Sequence, residues 1–105
     1  MTRLTSEIRF AHPSEEQLAK LMDDLDIHWI YEPVEFVLEE KCGRTTCAFR
    51  PDFYLPEFDL FVEVTTVKQK NITIKNRKIR LLKQLYPDIK IELLRRSEVE
   101  RLLSN

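Results

Sequence analysis

Residues 60–66, Leu-Phe-Val-Glu-Val-Thr-Thr, form the most β-prone stretch of the chain and carry one charge, Glu63, in their middle. Successive strand side chains point to opposite faces, so Leu60, Val62 and Val64 share one face while Phe61, Glu63 and Thr65 share the other. So apolar a strand belongs inside a sheet. A lone carboxylate there costs several kcal/mol unless it is paired or bound to a cation. The alternative is an edge strand with Glu63 in water, and the hydrophobicity of the segment favours the site.

The pattern on either side predicts how this strand is covered. Ser14, with Gln17 three residues on, makes a capping box just after Pro13, and Leu18, Leu21, Met22 and Leu25 follow at helical spacing. Asp23, Asp24 and Asp26 close that helix. Strands are expected over residues 27–31, 34–39 and 46–49, the last two joined by a turn at Gly43, the only glycine in the chain. After the central strand a helix is expected over residues 73–86, with Ile79, Leu82, Leu85 and Tyr86 on its apolar side and Pro87 ending it. A short strand over residues 89–94 and a last helix over 97–103, capped by Ser97 and Glu100, complete the chain. The expected fold class is α/β: a mixed β-sheet flanked by helices, in which a crossover helix returns the last strand parallel to its predecessor.

At 105 residues the chain is read as a single domain, residues 1–105. With 43% apolar residues it can offset the entropy of ordering, which excludes a disordered or low-complexity chain. No apolar run is long enough for a membrane span and residues 1–10 lack a signal-peptide core, so a cytoplasmic protein is expected. Cys42 and Cys47 are too few for a disulfide framework or a closed zinc site and are read as reduced thiols beside the Gly43 turn. Without a glycine-rich loop, nucleotide hydrolysis by that route is excluded, and the two histidines, His12 and His28, support no Ser-His-Asp or Cys-His arrangement.

The net charge of −1 conceals a strong segregation. Residues 1–66 hold 6 basic and 14 acidic side chains, residues 67–87 hold 7 basic and none acidic, and residues 88–105 balance at 4 of each. A basic helix on an acidic domain is either a solvated face or a surface for a polyanion. Lys75, Arg77, Lys78 and Arg80 are the candidate phosphate contacts, with Asn71 and Asn76 adding hydrogen bonds.

A second carboxylate, Asp52, follows Pro51 at a strand end, with ten residues between it and Glu63. The run Phe49-Arg50-Pro51-Asp52-Phe53-Tyr54-Leu55-Pro56, followed by Leu60-Phe61-Val62-Glu63-Val64-Thr65, resembles the core of the PD-(D/E)XK nucleases, and in particular their small resolvase-like and very-short-patch-repair-like members. Residues 14–94 are similar in element order to that family's αβββαβ restriction-endonuclease-like core, here with a short C-terminal helix. Residues 63–69 and 73–78 further resemble a bacterial domain of this superfamily associated with hypoxanthine phosphoribosyltransferases. This chain has no phosphoribosyltransferase signature, and that activity is not expected.

The resemblance implies Mg²⁺ or Mn²⁺ held by Asp52 and Glu63, with Glu15 of the first helix as a third acidic ligand. It implies phosphodiester hydrolysis in DNA or a structured nucleic acid, with a homodimer or partner protein supplying specificity. The family's lysine falls on Thr65, a poor base. Lys68, Lys70, Gln69 on a prolonged strand, or a lysine of the following helix are the candidates to take its role. The alternative is a degenerate nuclease-fold module that binds nucleic acid or serves as an accessory domain in nucleotide metabolism. A third reading is an interaction domain in which Asp52 and Glu63 pair with Lys68 or Arg50.

Overall fold

The computed structural model describes residues 8–65, 69–95, 97, 98 and 101, with the side chains of 69–72 outside the description. Helix α1 spans Pro13–Asp24, followed by β1 (Ile30–Tyr31), β2 (Phe36–Lys41), β3 (Arg44–Phe49), β4 (Phe53–Leu55), β5 (Leu60–Thr65), α2 (Gln69–Leu85) and β6 (Ile91–Arg95). The main sheet has the order β1-β4-β5-β6, antiparallel except for the parallel β5–β6 pair that α2 bridges. The α/β class, the mixed sheet and the crossover therefore agree with the sequence. The expected last helix lies mostly outside the described residues, as do Leu102 and Leu103 at its end.

Strand β5 is central, and its alternation divides the core in two. Val62 and Val64 pack with Leu18, Ala19 and Met22 of α1 and with Trp29, Phe53 and Leu55. Phe61, on the other face, packs with Ile79 and Leu82 of α2, with Ile91, and with Phe36, Leu38 and Phe49 of the β2–β3 pair. Glu63 and Thr65 share this second face, and both are buried. The edge-strand reading of Glu63 is thereby excluded.

Three boundaries differ from expectation. Residues 34–39 and 46–49, expected in the main sheet, form a separate two-stranded sheet. Register shifts at Val37/Glu39 and Glu39/Glu40 twist β2 away, and the apolar base of the hairpin lies against α2 while its tip is exposed. Its two-residue turn, Cys42-Gly43, has φ of 52° and 75°, the left-handed conformation a tight hairpin requires. The first strand shrinks to Ile30–Tyr31. Helix α2 starts at Gln69, four residues early, so Gln69 is helical and not part of a prolonged β5. Leu25 and Leu85, expected on apolar faces, are exposed because each sits at the last turn of its helix.

Helix α1 is capped differently from the capping box. His12 is the N-cap, its Nδ1 accepting from the Ser14 N–H at 3.2 Å, while Ser14 itself is buried in the first turn. At the other end, the Ile27 N–H donates to Met22 O (2.8 Å) and the Asp26 N–H to Asp23 O (3.1 Å), the double closure of a Schellman cap. Asp26 takes φ 58° there, a conformation that favours glycine. Asp26→Gly is expected to stabilise the protein by about 0.5–1 kcal/mol, read as an upward shift in thermal midpoint.

Candidate active site

Pro51 has no N–H to donate, so the β4–β5 ladder ends at the Phe53–Val62 pair. The next residues in register, Asp52 and Glu63, face one another, and their side chains replace the missing ladder bonds. The Asp52 N–H donates to Glu63 Oε1 (3.0 Å), and the Val64 N–H donates to Asp52 Oδ2 (2.8 Å). The Glu32 N–H donates to Asp52 O (2.8 Å) from a left-handed conformation, φ 46°, that ends β1 before Pro33. Asp52 is thus held at its nitrogen, its carbonyl and its carboxylate.

Lys75 of α2 completes the cluster. Its Nζ lies 2.8 Å from Glu63 Oε2 and donates to Val64 O at 3.2 Å. The Glu63 side chain is only 5% exposed and that of Lys75 27%, so this ion pair is largely withdrawn from water. On the α1 side, Glu15 is buried and accepts from the Tyr31 hydroxyl at 2.5 Å, while its charge acts on Asp52. Tyr31 is fixed by edge contacts with Phe10 and Phe53, at ring separations of 4.9 and 5.5 Å. Burial, and then the hydrogen bond to Glu15, push its phenol above the usual value, so it remains a donor.

The electrostatics follow from two buried carboxylates, Asp52 and Glu63, beside one ammonium, with the Glu15 charge also acting on Asp52. Burial, and then the Glu63 charge, push Asp52 up to about 8, against the Val64 N–H that favours its anion. Burial also raises Glu63, opposed chiefly by Lys75. Burial thus favours a proton on the Asp52–Glu63 pair, while the ion pair with Lys75 favours the Glu63 anion.

The residues expected at the site are dispersed unequally. Asp52 and Glu63 come together; Glu15 approaches but is engaged by Tyr31. Among the described residues no three His, Cys, Asp or Glu side chains are spaced to hold one metal ion, so Glu15 is not a third ligand in this arrangement. Lys68 lies outside the described residues, and Gln69 and Lys70 belong to the first turn of α2. Gln69 thus does not share the Glu63 face of a prolonged strand, because the backbone has already turned helical. Arg50, a candidate partner for the carboxylates, instead faces Glu35 at 3.7 Å.

The basic helix divides. Lys75 and Lys78 turn inward, Lys78 donating to Ala48 O of the hairpin (3.3 Å), whereas Asn76, Arg77 and Arg80 are exposed. His28 is exposed beside Glu57, and Cys42 and Cys47 are free thiols. Two site residues lacked a specific sequence signal: Tyr31, an aromatic residue at a strand end, and Lys75, one of several helix lysines that could take the missing lysine's place.

The donor set suits a hard divalent cation. Asp52 and Glu63 are hard oxygen donors, and on the Glu63 face of β5 Thr65 has a buried hydroxyl with no hydrogen-bond partner among the described residues. Two carboxylates are enough for Mg²⁺, which keeps several waters and shares substrate oxygens. No helix in the described residues is long and apolar enough to cross a membrane. No family model, curated protein or solved structure matches the chain.

Proposed function

We propose that this protein is a divalent-metal-dependent phosphodiesterase acting on DNA or a structured nucleic acid, with a PD-(D/E)XK-like site in which Lys75 replaces the lysine absent at Thr65. The observation that carries this reading is the convergence of Asp52 just before β4, Glu63 of β5 and the Lys75 ammonium of α2. Asp52 and Glu63 would hold Mg²⁺ or Mn²⁺. Such an ion supplies Lewis acidity and a water acidified enough to attack phosphorus. Lys75 delivers a positive charge to the same point from α2, and Tyr31 keeps Glu15 oriented toward Asp52. Arg77, Arg80 and Asn76, exposed on the same helix, are placed to bind backbone phosphates without reading bases.

A binding-only module is the second reading, and one observation favours it: Asp52 and Glu63 are nearly closed to solvent and Glu63 already has a counter-ion. Incubating supercoiled and short duplex DNA with the protein and Mn²⁺ separates the two. The nuclease reading expects nicking or cleavage by the wild type and none by Glu63→Gln. Salt-dependent binding without cleavage leaves the module, and neither binding nor cleavage removes both. In either reading, Arg77→Ala with Arg80→Ala is expected to lower the slope of log affinity against log salt by about 2 on duplex DNA, one phosphate contact per arginine.

A further inference from the structure

We propose that Lys75 is an internal placeholder for the metal: its ammonium occupies the cation position on Glu63, and a divalent ion binds only as that ammonium leaves Oε2. This rests on the metal-site reading above and adds to it a competition built into the fold.

The geometry carries the inference. Glu63 has two carboxylate oxygens, and both are engaged, Oε1 by the Asp52 N–H and Oε2 by Lys75 at 2.8 Å. The Asp52 N–H is backbone, fixed by the ladder end and by the Glu32–Asp52 bond, and cannot withdraw. Lys75 can. It sits on a flexible stem, 27% of its side chain reaches solvent, and its second bond, to Val64 O, anchors it beside Glu63 rather than on it. A metal ion taking Oε2 must therefore evict the ammonium, which stays nearby as a cation for the substrate's charge. The apparent affinity is lowered by the fraction of molecules in which Lys75 still holds Glu63.

Removing the ammonium should then tighten metal binding while leaving the ligands intact. Mn²⁺ titrations followed by electron paramagnetic resonance of the free ion test this on the wild type, Lys75→Met and Lys78→Met. Lys78 has the same charge on the same helix but bonds to Ala48 O, so it controls for general electrostatics. The expected result is about tenfold or greater tightening in Lys75→Met and little change in Lys78→Met. Equal tightening in both variants, or unchanged or weaker binding in Lys75→Met when the wild type binds, overturns the placeholder and leaves the metal site standing. No Mn²⁺ binding by any of the three overturns the metal site and the placeholder together.

Should Lys75→Met fail to fold, the wild type decides alone. Its Lys75 ¹⁵Nζ resonance, identified by its loss in Lys75→Arg, is expected to shift and exchange faster with solvent on adding Mg²⁺. A Mg²⁺-saturated protein whose Lys75 signal is unchanged overturns the proposal.

Discussion

Lys75→Ala is expected to destabilise the fold by about 3 kcal/mol at pH 8 and by much less at pH 4, measured by urea unfolding at both. Removing one partner of a buried ion pair costs about 3–5 kcal/mol because the other charge is stranded, and the low end applies here since Lys75 keeps part of its surface in water. The sign of the pH effect follows from Glu63. Without Lys75 nothing comparable opposes the burial that raises its pKa, so the carboxyl takes up a proton and the stranded charge disappears as pH falls. Mn²⁺ should restore the lost stability at pH 8, because the ion takes the place the ammonium held. Equal destabilisation at both pH values would mean that Lys75 acts through packing. On the nuclease reading, the same substitution lowers cleavage by about 10²-fold or more.

The wild type itself should lose stability as pH rises from about 4 to about 8. The Asp52 carboxyl, ordinarily at 3.8, is pushed up to about 8 in the folded protein by burial and the Glu63 charge. Between those values the native state binds more protons than the unfolded chain, so the unfolding free energy falls with pH. The penalty is absent below pH 4, grows through the interval and is complete above pH 8, with a slope of at most about 1.4 kcal/mol per pH unit for one proton. Asp52→Asn, which cannot ionise, should flatten the profile and make the variant more stable than the wild type at pH 8. Saturating Mg²⁺ should raise the thermal midpoint more at pH 8 than at pH 5, since at the lower pH it must first displace the Asp52 proton. A wild-type profile that rises over this interval contradicts the burial and coupling of the pair.

Much of this was legible in the sequence, for reasons that differ by element. The period-two pattern of residues 60–65 assigned each side chain to the face it occupies, which put Glu63 and Thr65 with Phe61 before any contact was known. Pro51 marked where the ladder stops, and hence where Asp52 is free to turn toward Glu63. The hairpin was less legible. Residues 34–39 alternate as a sheet strand would, and only the register shifts in β2 show that it pairs with β3 alone. The role of His12 was hidden because the Ser14 and Gln17 spacing offered a competing cap, two residues later than the one that forms.

Lys75 was the least legible residue of the site. In the sequence it is one of seven basic residues between 67 and 87, and nothing local separates it from Arg77. Its inward direction depends on where α2 begins and how that helix crosses the sheet, both set by long-range packing of Ile79 and Leu82. Tyr31 has the same character: an aromatic residue at the end of a strand reads as core, and only the approach of α1 brings its hydroxyl to Glu15.

The most direct test of the Asp52–Glu63 site is a crystal structure of the wild type grown with Mn²⁺, read from the anomalous signal of the metal. The expected result is a peak within bonding distance of Asp52 and Glu63, with the Lys75 ammonium moved off Glu63 Oε2. No peak at millimolar Mn²⁺, with Lys75 still on Glu63, would contradict a metal-dependent site and leave the carboxylates and Lys75 as a structural ion pair.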